Sequence, residues 1–220
     1  MKILILLWSM FAVEAQARSY FTPTCIVPKA GSNGTITAVY MSGQYPQFKG
    51  SDVFTNWETG NRAKLQAVAD ATGATIAVPQ ANVRNLSTGM DFTWIGVQPS
   101  LIIKRAKAAC KGMTFDHPGL IAFSSGAKRV TVLLESIAAE TGALPPGCGS
   151  LGVFSRIVIM GDQGAHGNYN GGCNRRIHQV ENHNFPPPGI NLQSEIEKML
   201  KQADEAAPDD EPTAEETPVY

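Results

Sequence analysis

Short, continuous apolar runs alternate along this chain with segments whose apolar residues recur at helical spacing. Runs of four to seven residues rich in β-branched and apolar side chains are typical of buried strands. Five such runs predict strands, at residues 35–41, 74–78, 119–123, 156–160 and, more weakly, 176–181. Apolar residues recurring on one helical face, bounded by Gly or Pro, predict four helices. These helices are expected at residues 61–72, 99–111, 127–139 and 192–203.

The order of these elements predicts the fold class. Strands that alternate with helices, and that are apolar along their whole length, are typical of a mostly parallel sheet covered by helices on both faces. Residues 19–34 are expected to form an irregular lead, and residues 81–97 a long loop. A chain of 220 residues is long enough for one domain with a substantial core. We therefore expect a single α/β domain over residues 18–203.

The two ends of the chain differ from this domain in composition. Lys2, an apolar run over residues 3–13 and the small-x-small sequence Ala15-Gln16-Ala17 predict a signal peptide at residues 1–17. The protein is therefore expected to be secreted or periplasmic, with no membrane anchor after cleavage. Residues 204–220 are rich in Asp, Glu, Pro, Ala and Thr, which predicts a disordered acidic tail. An interaction role for this tail is the alternative.

Charge and cysteine content narrow the class of protein further. Eighteen Lys and Arg residues nearly balance nineteen Asp and Glu residues, so no basic field favours nucleic acid. Four cysteines in an exported chain predict two disulfides, for which three pairings are possible. Cys148 and Cys173 are the first pair to expect, because they flank one strand and its loop.

The strongest chemical signal is the sequence Ala122-Phe-Ser124-Ser-Gly126, between a predicted strand and a predicted helix. This is the setting of the G-x-S-x-G nucleophile elbow, in which a tight turn requires small residues on both sides of the Ser. The start of the helix also brings backbone N–H groups close to the Ser, which suits a developing oxyanion. The alternative is an ordinary strand-to-helix turn in which Ser124 caps the helix.

Two further residues follow in the order of a catalytic triad. His183 lies on a loop after the last predicted strand, where Phe185 and a run of prolines suggest a rigid, partly buried segment. Asp162 follows the fourth strand, so that its carboxylate is a candidate to orient the His183 imidazole. The order Ser, acid, His is that of α/β-hydrolases. Asp162 as a simple turn residue is the alternative.

The layout resembles secreted serine esterases of the α/β-hydrolase superfamily, related to polyhydroxybutyrate depolymerases and feruloyl esterases. Four segments, within residues 35–200, carry the resemblance in the same order: the strand ending in Ser42-Gly43, the helix and strand over residues 65–80, the Ser124 elbow, and the loop at residues 183–187. The family has His-Gly at Ser42-Gly43, and its acid aligns with Gly164, two residues after Asp162. Residues 142–154 are also shorter than the family's equivalent, which implies that either the sheet edge or the substrate lid is reduced.

The resemblance implies an ester hydrolase that works through an acyl-enzyme on a polymeric or small-molecule ester, without a cofactor. Ser124 is the implied nucleophile, His183 the base and Asp162 the orienting acid. The implied oxyanion donors are the backbone N–H groups of Ser125 and of the Ser42-Gly43 region. A non-catalytic exported binding protein that retains this fold is the alternative.

We predict no metal site. The histidines and the cysteine that lie nearest one another are spaced in a way that matches no ligand pattern. They are His166, Cys173, His178 and His183.

Overall fold

The computed structural model describes residues 23–43, 45–48, 53–86, 89–145, 147–161, 173, 176–182 and 184–205. In the elements at residues 45–48, 53–60, 83–86, 89–92, 141 and 203–205, only the backbone is described. The predicted signal peptide lies outside the described residues, as does most of the predicted tail. Within the described residues, no helix is both long and apolar enough to cross a membrane.

A mixed sheet of six strands forms the centre of the α/β fold. Its strands are β1 (Thr24–Ile26), β2 (Ala38–Met41), β4 (Ile76–Val78), β7 (Gly119–Phe123), β8 (Ile157–Met160) and β9 (Ile177–Val180). They are ordered β1-β4-β2-β7-β8-β9, and all pairs are parallel except β1 with β4. The prediction of a mostly parallel sheet is therefore confirmed.

Among the described residues, four helices cover the two faces of this sheet. They are α1 (Val53–Thr72), α2 (Pro99–Ala109), α3 (Ser125–Thr141) and α4 (Leu192–Glu205). Side chains of β7 alternate between two cores: Leu120 and Ala122 pack with α2 and α3, while Ile121 and Phe123 pack with α1 and α4. Both faces of β7 are thus buried, which explains why this strand is apolar along its whole length.

Two sequence-based predictions of irregular structure were wrong. Residues 81–97 are not one long loop, because they contain β5 (Asn82–Leu86) and β6 (Gly89–Thr93), which pair antiparallel. With β3 (Tyr45–Phe48) they form a separate three-stranded sheet in the order β3-β6-β5. The lead at residues 19–34 contains β1, which is only three residues long and gains its partners from β4.

The connection between α3 and β8 is short. In its described part it contains one 3₁₀ turn, Gly149–Leu151, and β7 and β8 are direct neighbours in the sheet. The expectation that this segment is shorter than in the resembled family stays a prediction.

All four cysteines are paired, as Cys25–Cys110 and Cys148–Cys173. The prediction of two disulfides is confirmed, and so is the expected pair Cys148–Cys173. Cys25 lies on β1 and Cys110 directly follows α2, so this bond joins the antiparallel edge strand to a helix 85 residues further along the chain.

Candidate functional site

The carboxyl ends of neighbouring parallel strands bring Ser42, Ser124 and Gly161 to one edge of the sheet. These residues directly follow β2, β7 and β8, which are adjacent. The Ser124 backbone N–H donates to the carbonyl of Met160 at 2.9 Å, and Gly161 N–H donates to the carbonyl of Val180 at 2.9 Å. Open α/β sheets bind their ligands at this edge.

Ser124 has an unusual backbone conformation. Its φ is 52° and its ψ is −112°, outside the regions that residues with a Cβ normally occupy. The turn from β7 into α3 takes place at this residue, since α3 begins at Ser125. Ser124 occupies the N-cap position of α3, but its side chain makes no capping hydrogen bond, so it does not cap the helix in the usual way. Strain of this kind costs on the order of 1–3 kcal/mol and concentrates at functional sites.

Small residues allow the elbow to pack against β2. A Cβ on Gly126 would lie 2.6 Å from the Met41 carbonyl oxygen, and one on Gly43 would lie 3.1 Å from the Ser124 Cβ. The Gly126 N–H donates to the Ser42 carbonyl at 3.2 Å, which holds the start of α3 against the end of β2. Gly43 and Ser124 are therefore in close contact although 81 positions separate them in the sequence.

The residues expected to bind an oxyanion lie around Ser124. Ser125 is the first residue of α3, where backbone N–H groups have no intrahelical acceptor. Ser42 is buried and Gly43 contacts the Ser124 side chain from the neighbouring strand. The helix dipole adds positive potential at the first turn of α3. This arrangement can stabilise negative charge next to the Ser124 side chain.

His183 lies outside the described residues, but the segment that follows it is anchored beside the elbow. The Phe185 ring packs on Phe123 and on Tyr40, with 5.3 Å between ring centroids in each case. The carbonyl oxygen of Phe185 accepts a hydrogen bond from Lys64 Nζ at 2.5 Å. Phe185 is buried, as the sequence suggested. The segment that contains Phe185 therefore contacts Phe123, the residue that directly precedes Ser124.

Asp162 also lies outside the described residues, so its side chain has no geometry to report. The preceding residue, Gly161, directly follows β8 and adopts a positive φ of 70°. Gly161 is one strand away from Ser124, on the side opposite Gly43.

The sequence analysis missed a contact that involves Thr93 and Trp94. Thr93 Oγ1 lies 3.3 Å from Ser125 Oγ, and the Trp94 N–H donates to Ser125 Oγ at 3.2 Å. These residues lie in the segment interpreted as a loop, and nothing in the local pattern distinguished them from other loop residues. The contact arises from the pairing of β6 with β3 and β5.

A second polar cluster lies at the opposite, amino edge of the sheet. Glu195 of α4 is buried, accepts hydrogen bonds from Arg156 Nε at 2.5 Å and Lys198 Nζ at 2.8 Å, and has a carboxylate oxygen 3.1 Å from His178 Nδ1. Burial by itself raises the pKa of Glu195, but the hydrogen bonds from Arg156 and Lys198 outweigh it and lower the pKa to about 2. The cluster joins α4 to the starts of β8 and β9.

No group of three potential metal ligands is present among the described residues. Of the four residues considered as ligands from the sequence, Cys173 is in a disulfide and His178 contacts Glu195. His166 and His183 lie outside the described part of the chain.

Comparison with known proteins returns no relative: no family model, no curated protein and no solved structure matches the chain.

Proposed function

We propose that this protein is an exported serine hydrolase with an α/β-hydrolase-like fold that cleaves a carboxylic ester through an acyl-enzyme. The observation that carries the proposal is the backbone of Ser124. A Ser with φ of 52° at the turn between a buried parallel strand and a helix has the conformation expected of a nucleophile elbow. Its position at the carboxyl edge of the sheet is the one where such folds carry out their chemistry.

In the proposed reaction, Ser124 Oγ attacks the ester carbonyl while His183 takes the hydroxyl proton. The carbon–oxygen bond to the alcohol then breaks, and His183 returns the proton to the leaving alcohol. Water hydrolyses the acyl-enzyme by the same steps and restores Ser124. Asp162 orients the imidazole and stabilises its charged form. No cofactor takes part in these steps.

Backbone N–H groups are proposed to stabilise the tetrahedral intermediate. Ser125 would donate from the first turn of α3, and the Ser42-Gly43 region from the end of β2. The close approach of Gly43 to the Ser124 side chain supports this role, because donors must be within hydrogen-bond distance of the oxyanion.

The anchoring of Phe185 supports the role of His183. A base must reach the nucleophile within hydrogen-bond distance, directly or after small movements. Phe185 is only two residues from His183, and its ring is packed against the residue preceding Ser124. Two disulfides, together with the signal-peptide pattern, support the exported location.

A fluorophosphonate probe tests the proposal. The purified protein should be labelled, and Ser124→Ala should abolish the labelling. Ser155→Ala is the matched control, since Ser155 is also a buried Ser next to a strand and its hydroxyl has no hydrogen-bond partner among the described residues. The control should be labelled like the wild type.

Two results would contradict the proposal. Labelling that persists in folded Ser124→Ala means that the nucleophile is another residue. Absence of labelling in well-folded wild-type protein favours a non-catalytic exported binding protein.

A further inference from the structure

The three-stranded sheet is connected to the candidate site at two points. β3 begins at Tyr45, two residues after Gly43, and β6 ends at Thr93, whose hydroxyl contacts Ser125. The segment that leads into β3 and the residue that ends β6 are therefore next to the two groups proposed to bind the oxyanion. This sheet borders the site rather than lying at a remote surface.

Thr93 and Ser125 form a compact hydrogen-bonded arrangement. The two hydroxyl oxygens are 3.3 Å apart, and one of them donates to the other. Ser125 Oγ also accepts the Trp94 N–H at 3.2 Å, and Thr93 Oγ1 accepts the Ile95 N–H at 3.3 Å. Each hydroxyl is thus bound both to its partner hydroxyl and to the backbone that follows β6.

Burial increases the importance of these hydrogen bonds. Thr93 is 5% exposed and Trp94 is 0% exposed, so water does not readily replace a lost partner of either residue. Of the two hydroxyl hydrogens, only one is needed between Thr93 and Ser125. No further acceptor for the second hydrogen lies within hydrogen-bond distance among the described residues.

We infer that Thr93 is a positioning residue for the candidate site: its hydroxyl and the Trp94 N–H hold Ser125 Oγ, and through this side chain they help to fix the first residue of α3, which carries the proposed oxyanion donor. This inference rests on the proposed function. Through Thr93, the three-stranded sheet acts on the oxyanion-binding group.

The test compares three isosteric or conservative variants. Thr93→Val removes the hydroxyl and keeps the shape, and Thr93→Ser keeps the hydroxyl. Thr131→Val is the matched control, because Thr131 is a buried Thr of α3 whose hydroxyl has no hydrogen-bond partner among the described residues. Each is measured for kcat and KM on a short-chain nitrophenyl ester, and for inhibition by a trifluoromethyl ketone, which forms an oxyanion on the nucleophile.

Thr93→Val is expected to lower kcat about tenfold with KM within about twofold, since losing an oxyanion donor outright costs 10²–10³ and here the donor is only displaced. Inhibition by the ketone should weaken by a similar factor. Thr93→Ser and Thr131→Val should stay within about twofold of wild type in all three quantities. If Thr93→Val does not fold, Ser125→Ala removes the other hydroxyl of the pair and keeps the backbone N–H, and the same losses are expected.

The outcomes separate the inference from the proposed function. If Ser124→Ala abolishes probe labelling but Thr93→Val behaves as wild type, the positioning role is overturned and the hydrolase proposal stands. If Thr93→Ser is as impaired as Thr93→Val, the effect is one of packing and the inference is again overturned. If folded wild-type protein is not labelled at all, the proposed function fails and this inference falls with it.

Discussion

Polar residues lie at both edges of the six-stranded sheet, but they differ in the hydrogen-bond partners that the protein gives them. At the amino edge, the buried Glu195 carboxylate contacts three cationic or titratable side chains, and its pKa is lowered to about 2. At the carboxyl edge, Ser124 has a strained backbone, its side chain caps nothing, and the helix that follows begins with N–H groups that lack intrahelical acceptors.

The difference separates structural polar groups from candidate functional ones. A strongly shifted pKa is often used as a sign of an active site, yet structural ion-pair networks shift pKa values as well. The shifted pKa of Glu195 comes from a structural ion-pair network, because Arg156 and Lys198 donate hydrogen bonds to its carboxylate. Ser124 is the better candidate for chemistry, because the fold tolerates strain there and leaves hydrogen-bonding groups for a ligand. Mutations at the amino edge should therefore lower stability and spare the reactivity of Ser124, whereas mutations at the carboxyl edge should lower activity and spare stability.

The largest expected effect is on stability, at the amino edge. Glu195→Ala leaves Arg156, whose side chain is 13% exposed, without its carboxylate partner. We expect the free energy of unfolding to fall by about 4 kcal/mol, as when one partner of a buried ion pair is removed. Urea unfolding measures this loss. Glu197→Ala is the control, because Glu197 is an exposed residue of the same helix, and it should change stability by under about 1 kcal/mol. Folded Glu195→Ala should still be labelled at Ser124, and loss of labelling would contradict the separation of the two edges.

The same carboxylate predicts a dependence of stability on pH. The pKa of Glu195 falls from 4.5 to about 2 on folding, so its contribution is complete above pH 4.5 and is lost as the pH falls towards 2. The contribution corresponds to about 3 kcal/mol. Urea unfolding of the wild type between pH 7 and pH 2 should show this decrease. In Glu195→Gln this part of the decrease should be absent, and an unchanged profile in that variant would mean that other carboxylates cause it.

At the carboxyl edge, a change of carboxylate should affect turnover and leave stability alone. Asp162→Asn should lower turnover of a short-chain nitrophenyl ester at least about a hundredfold, because an orienting carboxylate contributes on the order of 10⁴ in serine proteases. Its unfolding free energy should match that of the wild type. Near-wild-type turnover would make Asp162 a turn residue and leave a Ser–His pair or another acid.

The smallest expected effect tests the contact between β2 and the elbow. A Cβ on Gly43 would lie 3.1 Å from the Ser124 Cβ and 3.4 Å from the Phe123 ring, so Gly43→Ala should displace Ser124 by a few tenths of an ångström. We expect the rate of probe labelling to fall about tenfold, since small displacements of reacting groups reduce rates steeply. Gly147→Ala is the control, because a Cβ there meets no atom within 4 Å. Equal rates of probe labelling in Gly43→Ala and Gly147→Ala would show that the contact of Gly43 with Ser124 does not affect the reactivity of Ser124.

The candidate site was predictable in part, for reasons that lie in particular residues. The turn at Ser124 was visible because a tight turn needs small residues on both sides of the Ser, and Ala122 and Gly126 lie only two positions from it, so the signal is local. Burial of the segment after His183 was also expected, from Phe185 and its prolines. The contact of Thr93 with Ser125 was not predictable, because the two residues are 32 positions apart and belong to different elements, β6 and α3.

The sequence by itself determined the approximate positions of the helices and of five strands, and the strand-to-helix turn at Ser124. These follow from apolar periodicity and from short-range constraints that act along the chain. Only the tertiary structure decided the order of the strands, the antiparallel edge strand β1, the separate sheet of β3, β5 and β6, and the cluster around Glu195. These depend on pairing between distant segments, and short polar strands such as β5 and β6 become stable only when their backbone groups find those partners.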